Sequence, residues 1–287
     1  MKSPLNAQLR TCVVPIAAAV LLLCETPARA NCDEDGLSIS EIREGDMVEL
    51  YATNDQDYPV TYAVMVDSGQ PSDGTVRTFS ETLAAQQSQR VMVLPHQSEM
   101  VDISCTWTIG SRYAAHDDDH IYRLPYADGE RYRVLQGFES DWSHRGDEQF
   151  AIDFKMPVGT PVHAARGGIV VRTEAGWDKG CWDEACDGFA NFIVILHNDG
   201  TTGEYYHLQK NGVLVEVGQR VVAGQRIGLS GNTGRTAEPH LHFAVYHATK
   251  AGHSQSVPIS FISADGIVYE PRNGHYYFAV STQQAGD

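Results

Sequence analysis

"EPHLHFAVY", residues 238–246, sets His240 and His242 at alternate positions of an otherwise apolar run. Successive side chains of an extended strand leave opposite faces, so the two imidazoles project side by side while Leu241 and Phe243 enter a core. The stretch predicts a half-buried β-strand carrying a paired-histidine face. Partners for that pair must come from elsewhere in the chain.

The surrounding sequence reads as more β-structure. "GGIVVRT" (167–173) and "NFIVILHNDGTTGEYYHL" (191–208) are strand-like, and Asn198-Asp199-Gly200 supplies residues that tolerate left-handed turn geometry, closing a hairpin. "VLVEVGQRVVAGQRIGLSGNTG" (213–234) alternates apolar runs with glycine turns, and the tail adds "VPISFISADGIVYEP" and "HYYFAV". Earlier in the chain, "MVELYA" (47–52), "VTYAVMV" (60–66), "RVMVLP" (90–95) and "MVDISCTWTI" (100–109) lie between Gly, Pro, Asn, Asp and Ser clusters. No run reads as a long amphipathic helix. The expected architecture is mainly β: an N-terminal β-sandwich over residues 31–128, an antiparallel β domain over 129–250, and a C-terminal β extension over 251–287.

The first 30 residues are expected to be a secretory signal peptide. Lys2 and Arg10 precede an apolar run from Val13 to Leu23 and a small-residue "PARA" ending at Ala30. That run is too short to span a bilayer comfortably, and a lipid-anchored Cys24 would want a small residue where Leu23 stands. A periplasmic or secreted, monomeric product without a membrane span is expected. The formal charge of −16 argues against a general binder of nucleic acid or anionic membrane, and it also opposes attraction to acidic wall polymers. Beyond the leader stand Cys32, Cys105, Cys181 and Cys186, an even set that suggests disulfides in an exported chain. Of the three possible pairings, Cys181–Cys186 with Cys32–Cys105 is favoured, since thiolate metal sites would need further donors nearby.

"SHRGDEQFAIDFKMPVGTPVHAARGG" offers His144 and Asp153, and "EYYHLQ" offers His207 at the end of the hairpin. Two imidazoles, one carboxylate and an open position holding water make a catalytic zinc site, and two further histidines nearby can move protons.

These segments resemble the catalytic domain of lysostaphin-type (LytM-type) zinc metallopeptidases. The matching elements are His144…Asp153, "GTPVHAA", "YYHL", "GQRVVAGQRIGLSGNTG" and "HLHF", in the family's order over roughly residues 135–247. The resemblance implies an antiparallel β domain of the barrel-sandwich hybrid type in which His144, Asp153 and His242 bind one Zn²⁺, with His207 and His240 as unliganded catalytic histidines. It implies an endopeptidase that cuts peptide cross-links of bacterial peptidoglycan. One departure stands out: many members place the carboxylate four residues after the first histidine, whereas Asp153 lies nine beyond His144 and Asp147 three beyond. The family's Asp-x-x-x-Pro-x-Gly-Thr-Pro register falls on "DFKMPVGTP" and selects Asp153.

His163, His197 and His247 read as structural or surface residues, and His96, His253 and His275 have no recognisable partners. "AHDDDH" (115–120) reads as a solvated acidic loop between domains rather than a cation site. Two rival functions fit the sequence less well. An inactive relative that activates another wall hydrolase would lack metal ligands, and a biotinyl or lipoyl carrier domain would need an exposed lysine at a hairpin tip.

Overall fold

The computed structural model describes residues 36–67, 76–95 and 102–281. The expected leader and Cys32 lie outside the described residues. Six strands build the N-terminal half: β1 (Leu37–Glu44), β2 (Met47–Asn54), β3 (Val60–Asp67), β4 (Val76–Leu83), β5 (Gln87–Pro95) and β6 (Asp102–Ile109). They form two antiparallel three-stranded sheets, ordered β1-β2-β5 and β4-β3-β6. Leu50, Tyr62, Val64, Val66 and Leu83 are among the side chains buried between them. The four runs marked by hydrophobicity correspond to β2, β3, β5 and β6. Both strands without such a signal, β1 "LSISEIRE" and β4 "VRTFSETL", are sheet edges. Charged and hydroxyl residues there discourage a further strand from adding, and they dilute the apolar alternation that reveals a strand.

The second half contains β7 (Ile121–Arg123), β8 (Arg131–Gln136), β9 (Ile152–Lys155), β10 (Pro161–His163), β11 (Gly168–Glu174), β12 (Gly180–Cys181), β13 (Phe192–Leu196) and β14 (Thr202–Tyr206). It continues with β15 (Leu208–Val213), β16 (Arg220–Val221), β17 (Arg226–Ser230), β18 (Gly234–Arg235), β19 (Leu241–Ala248), β20 (Ser254–Ser256), β21 (Ser260–Ser263), β22 (Gly266–Val268) and β23 (Tyr276–Phe278). A nine-stranded sheet runs β16-β11-β13-β14-β19-β9-β8-β23, with β20 also on β19, while β10-β17-β15 form a smaller sheet. Phe154, Phe243, Tyr205, Ile193 and Ile195 of the large sheet pack with Val162, Ile227 and Leu208 of the small one. Each such fully buried aromatic or branched side chain contributes about 1.5–3 kcal/mol of transfer free energy. The hairpin turn closes as the residues suggest: His197 N–H donates to Thr201 O at 2.8 Å, and Gly200 takes φ +86°.

Antiparallel pairing dominates, but two ladders are parallel: β12 with β18 and β7 with β21. Their members lie far apart in sequence, so no hairpin dictates their direction. The two halves meet at an apolar seam, where Tyr58, Val60 and Ile109 of the sandwich pack on Val171 and Val194. Thr106 Oγ1 donates to Ala251 O at 2.5 Å, and Thr108 and Ser254 join hydroxyls.

Candidate metal centre

Asp153 on β9 stands directly opposite His242 on β19 in the antiparallel register, so both side chains leave one face of the sheet. His144 enters from the loop between β8 and the short 3-10 turn Gly146–Glu148 and is buried. Its ring lies edge-on to His242, with centroids 5.4 Å apart. One donor atom from each of His144, Asp153 and His242 lies within 4.8 Å of the other two. Asp147 is exposed and stands outside this group.

The orientation of each donor has a local cause. His144 Nδ1–H donates to the Gly137 carbonyl at 3.1 Å. Its Nε2 therefore carries the lone pair and faces Asp153 Oδ1 at 3.3 Å without a hydrogen bond. His242 Nδ1 lies 2.9 Å from the same oxygen, while its Nε2 turns toward the Tyr246 hydroxyl at 3.4 Å and Glu148 Oε2 at 3.5 Å. Gln136 donates to the other oxygen, Asp153 Oδ2, at 2.7 Å. A buried imidazole lone pair aimed at a carboxylate oxygen is unfavourable by itself. A cation seated among these atoms satisfies all three donors. The Gly137 carbonyl and Gln136 amide meanwhile fix ring and carboxylate, as outer hydrogen bonds do at metal sites. Two imidazoles and a carboxylate match the protein donors of a catalytic zinc.

His207 follows β14 with a left-handed φ of +63°, a conformation that favours glycine, and in which histidine is over-represented among other residues. Its Nδ1–H donates to Thr233 O at 2.7 Å. His240 pairs with Gly231 in an isolated bridge, and its Nδ1–H donates to Glu238 O at 2.7 Å. That bridge needs glycine: a Cβ at residue 231 would stand 2.3 Å from Gln209 N. The His207 and His240 rings are 4.5 Å apart, and His207 lies 5.9 Å from the His242 ring.

Burial and the neighbouring imidazoles His240 and His242 push His207 down to about 3, so it is neutral across the physiological range. Burial opposes charging of His242 as well, but hydrogen bonds to Asp153 and Glu148 outweigh it and hold the ring up at about 10. For Asp153, burial alone would raise the carboxyl; the facing His240, His144 and His242 hold it well below the usual carboxylate range. A strongly anionic oxygen surrounded by imidazoles is the electrostatic counterpart of a cation site.

All four of Asp153, His207, His240 and His242 line a cleft of about 800 Å³, together with Trp142, Trp182, Arg133 and Arg235. Trp182 lies within the loop closed by the Cys181–Cys186 disulfide and faces Trp142 at 6.3 Å. Of the other histidines, His163 is half-buried on β10, His197 is buried at the hairpin with Nδ1 on Thr201 Oγ1 at 3.0 Å, and His116 pairs with Asp118 within the 115–120 loop. None of them joins the metal group. Several residues of the site escaped the sequence reading. Tyr246 was accessible through period-two spacing from His242. Glu148 and Gln136 carried no periodic or motif signal, whereas Thr233 lay within the quoted "GLSGNTG" segment without a role assigned to it.

A model described as peptidase family M23 matches residues 147–255, beginning just after His144. The chain is 38% identical over 122 residues to peptidoglycan DD-endopeptidase ShyA of Vibrio cholerae, covering 41% of this chain and 26% of that protein. It is 39% identical over 122 residues to glycyl-glycine endopeptidase ALE-1 of Staphylococcus capitis, covering 42% and 31% respectively. The match thus spans about a quarter to a third of the length of these relatives. Among solved structures, the catalytic domain of lysostaphin from Staphylococcus simulans is 31% identical with a TM-score of 0.31, covering 44% of this chain and 87% of that one.

Proposed function

Because the chain carries a peptidase family M23 domain, we propose that it is a zinc-dependent endopeptidase acting on peptide cross-links of bacterial peptidoglycan. The observation that carries this reading is the convergence of His144, Asp153 and His242, with a buried, unpartnered His144 Nε2, on a cleft that also holds His207 and His240. Zinc held by those three residues supplies Lewis acidity, polarising a peptide carbonyl and acidifying water.

The chain's own residues do the rest. With their Nδ1 atoms tied to backbone carbonyls, His207 and His240 turn Nε2 away from those anchors. One takes a proton from the attacking water and returns it to the departing amine, while the pair together faces the charge developing on the carbonyl oxygen. Gln136 and Gly137 hold the ligands in place throughout. No His-Glu-x-x-His segment occurs in the sequence, so histidines take the role that glutamate plays in enzymes built on that motif.

The test is zinc stoichiometry and digestion of purified peptidoglycan with product masses recorded. His242→Ala is expected to lose the metal. His207→Ala is expected to keep it and lose turnover by at least two orders of magnitude. Undiminished digestion by both variants would sink the reading.

A further inference from the structure

Two arginines, Arg133 and Arg235, line the cleft of a chain whose formal charge is −16. Arg133 on β8 stands directly opposite Lys155 on β9, a like-charge cross-strand pair of the kind that destabilises a sheet. Lys155 is two residues from Asp153 on the same strand, so it leaves the same face as the metal group. Its ammonium is already paired with Glu238 at 2.6 Å. On the other wall, the Arg235 guanidinium lies over Trp182 and within 4.0 Å of Glu184 and Asp187. Arg131 packs over Tyr276 and Phe278. All four are exposed, but Arg133 lines the cleft and alone among them has no side-chain partner among the described residues.

We propose that Arg133 is a carboxylate-binding specificity residue, selecting substrate peptides that carry a free carboxylate close to the scissile bond over neutral ones such as a glycine bridge. This rests on the peptidase reading above. A guanidinium offers a planar fork of donors matched to a carboxylate. Residues two apart on a strand are separated by about 7 Å, so the Arg133–Lys155 pair lies within about two residues of the scissile bond of an extended substrate. Because Lys155 is already paired with Glu238, Arg133 is left as the cation of this pair available to an incoming anion.

The test uses the zinc-loaded chain and two synthetic cross-linked peptides, identical except that the carboxylate flanking the scissile bond is free or amidated. The free acid is expected to be cleaved with at least about tenfold higher kcat/KM, the worth of one charge-assisted hydrogen bond. That ratio should shrink toward one in Arg133→Gln, persist in part in Arg133→Lys, and weaken with added salt. Binding of both peptides to the His207→Ala chain, measured by calorimetry, supplies a readout independent of turnover. Failure to cleave either peptide counts against the peptidase reading alone. Equal affinity for acid and amide, or equal loss on both in Arg133→Gln, overturns the proposal for Arg133.

Discussion

His207 Nδ1 and the Thr233 carbonyl are held 2.7 Å apart, and the same Thr233 sends its hydroxyl to Leu208 O while accepting the backbone N–H of Asn191. Asn191 is fully buried. Its side chain receives the Trp177 N–H and donates to the Trp177 and Leu208 carbonyls. His207 and the loop that bears Trp182 are therefore anchored to one polar hub.

Asn191→Ala should cost about 2–4 kcal/mol of unfolding free energy, because it strands several buried backbone groups at once. Denaturant unfolding measures this. Amide exchange should also accelerate across residues 175–190, whereas a purely global effect would raise exchange evenly.

Metal removal should lower Tm. Binding to the folded state alone adds RT ln(1 + [Zn]/Kd), about 4 kcal/mol when free metal exceeds Kd a thousandfold. Calorimetric scans with and without chelator test this. Asp153→Asn should abolish the difference between them, and a chelator effect of unchanged size in that variant would exclude these donors.

Acid stability should depend on His197. Burial, with a smaller push from Arg166, lowers this ring to about 3. The folded state thus prefers the neutral form, and the unfolded chain takes up the proton first. Stability is complete above about pH 6.5 and is lost as pH falls toward 3, by up to a few kcal/mol. His197→Gln should flatten that limb of the stability–pH curve, and an unchanged slope would assign acid sensitivity elsewhere.

Replacing Cys181 and Cys186 together by serine should lower stability by about 2 kcal/mol on the chain-entropy argument for a short loop. The larger consequence is expected at the cleft. Trp182 lines the cleft from that loop, with Arg235 of β18 packed over its ring, so KM should rise more than kcat falls. A change confined to kcat would contradict a wall role.

Much of the site was legible because its histidines sit at positions where backbone geometry and chemistry coincide. His240 and His242 share a strand face, and His207 closes a hairpin whose turn residues are explicit. Asp153 was distinguishable from Asp147 through the resemblance, whose Asp-x-x-x-Pro-x-Gly-Thr-Pro register falls on "DFKMPVGTP". Less visible were the groups that hold these residues in place. Gln136, the Gly137 carbonyl and Thr233 act through single hydrogen bonds formed across 17, 7 and 26 residues of separation, and no local periodicity encodes such contacts. The edge strands β1 and β4 were hidden for a related reason: their polar residues serve the sheet's solubility rather than its core. Likewise the parallel ladder of β7 and β21 joins distant segments with no turn to announce it.

By strand register, Phe192, Val194 and Leu196 leave the large sheet on the face that also carries Tyr206 and His242, and the N-terminal sandwich caps those apolar residues while none of its described residues lines the cleft. The histidine-bearing half and the sandwich are thus fused by a greasy weld rather than strung together as detachable cartridges. Shearing off the first would-be module would wet Val171, Val194 and Phe192 and make the remainder prone to self-association, even with every histidine still in place.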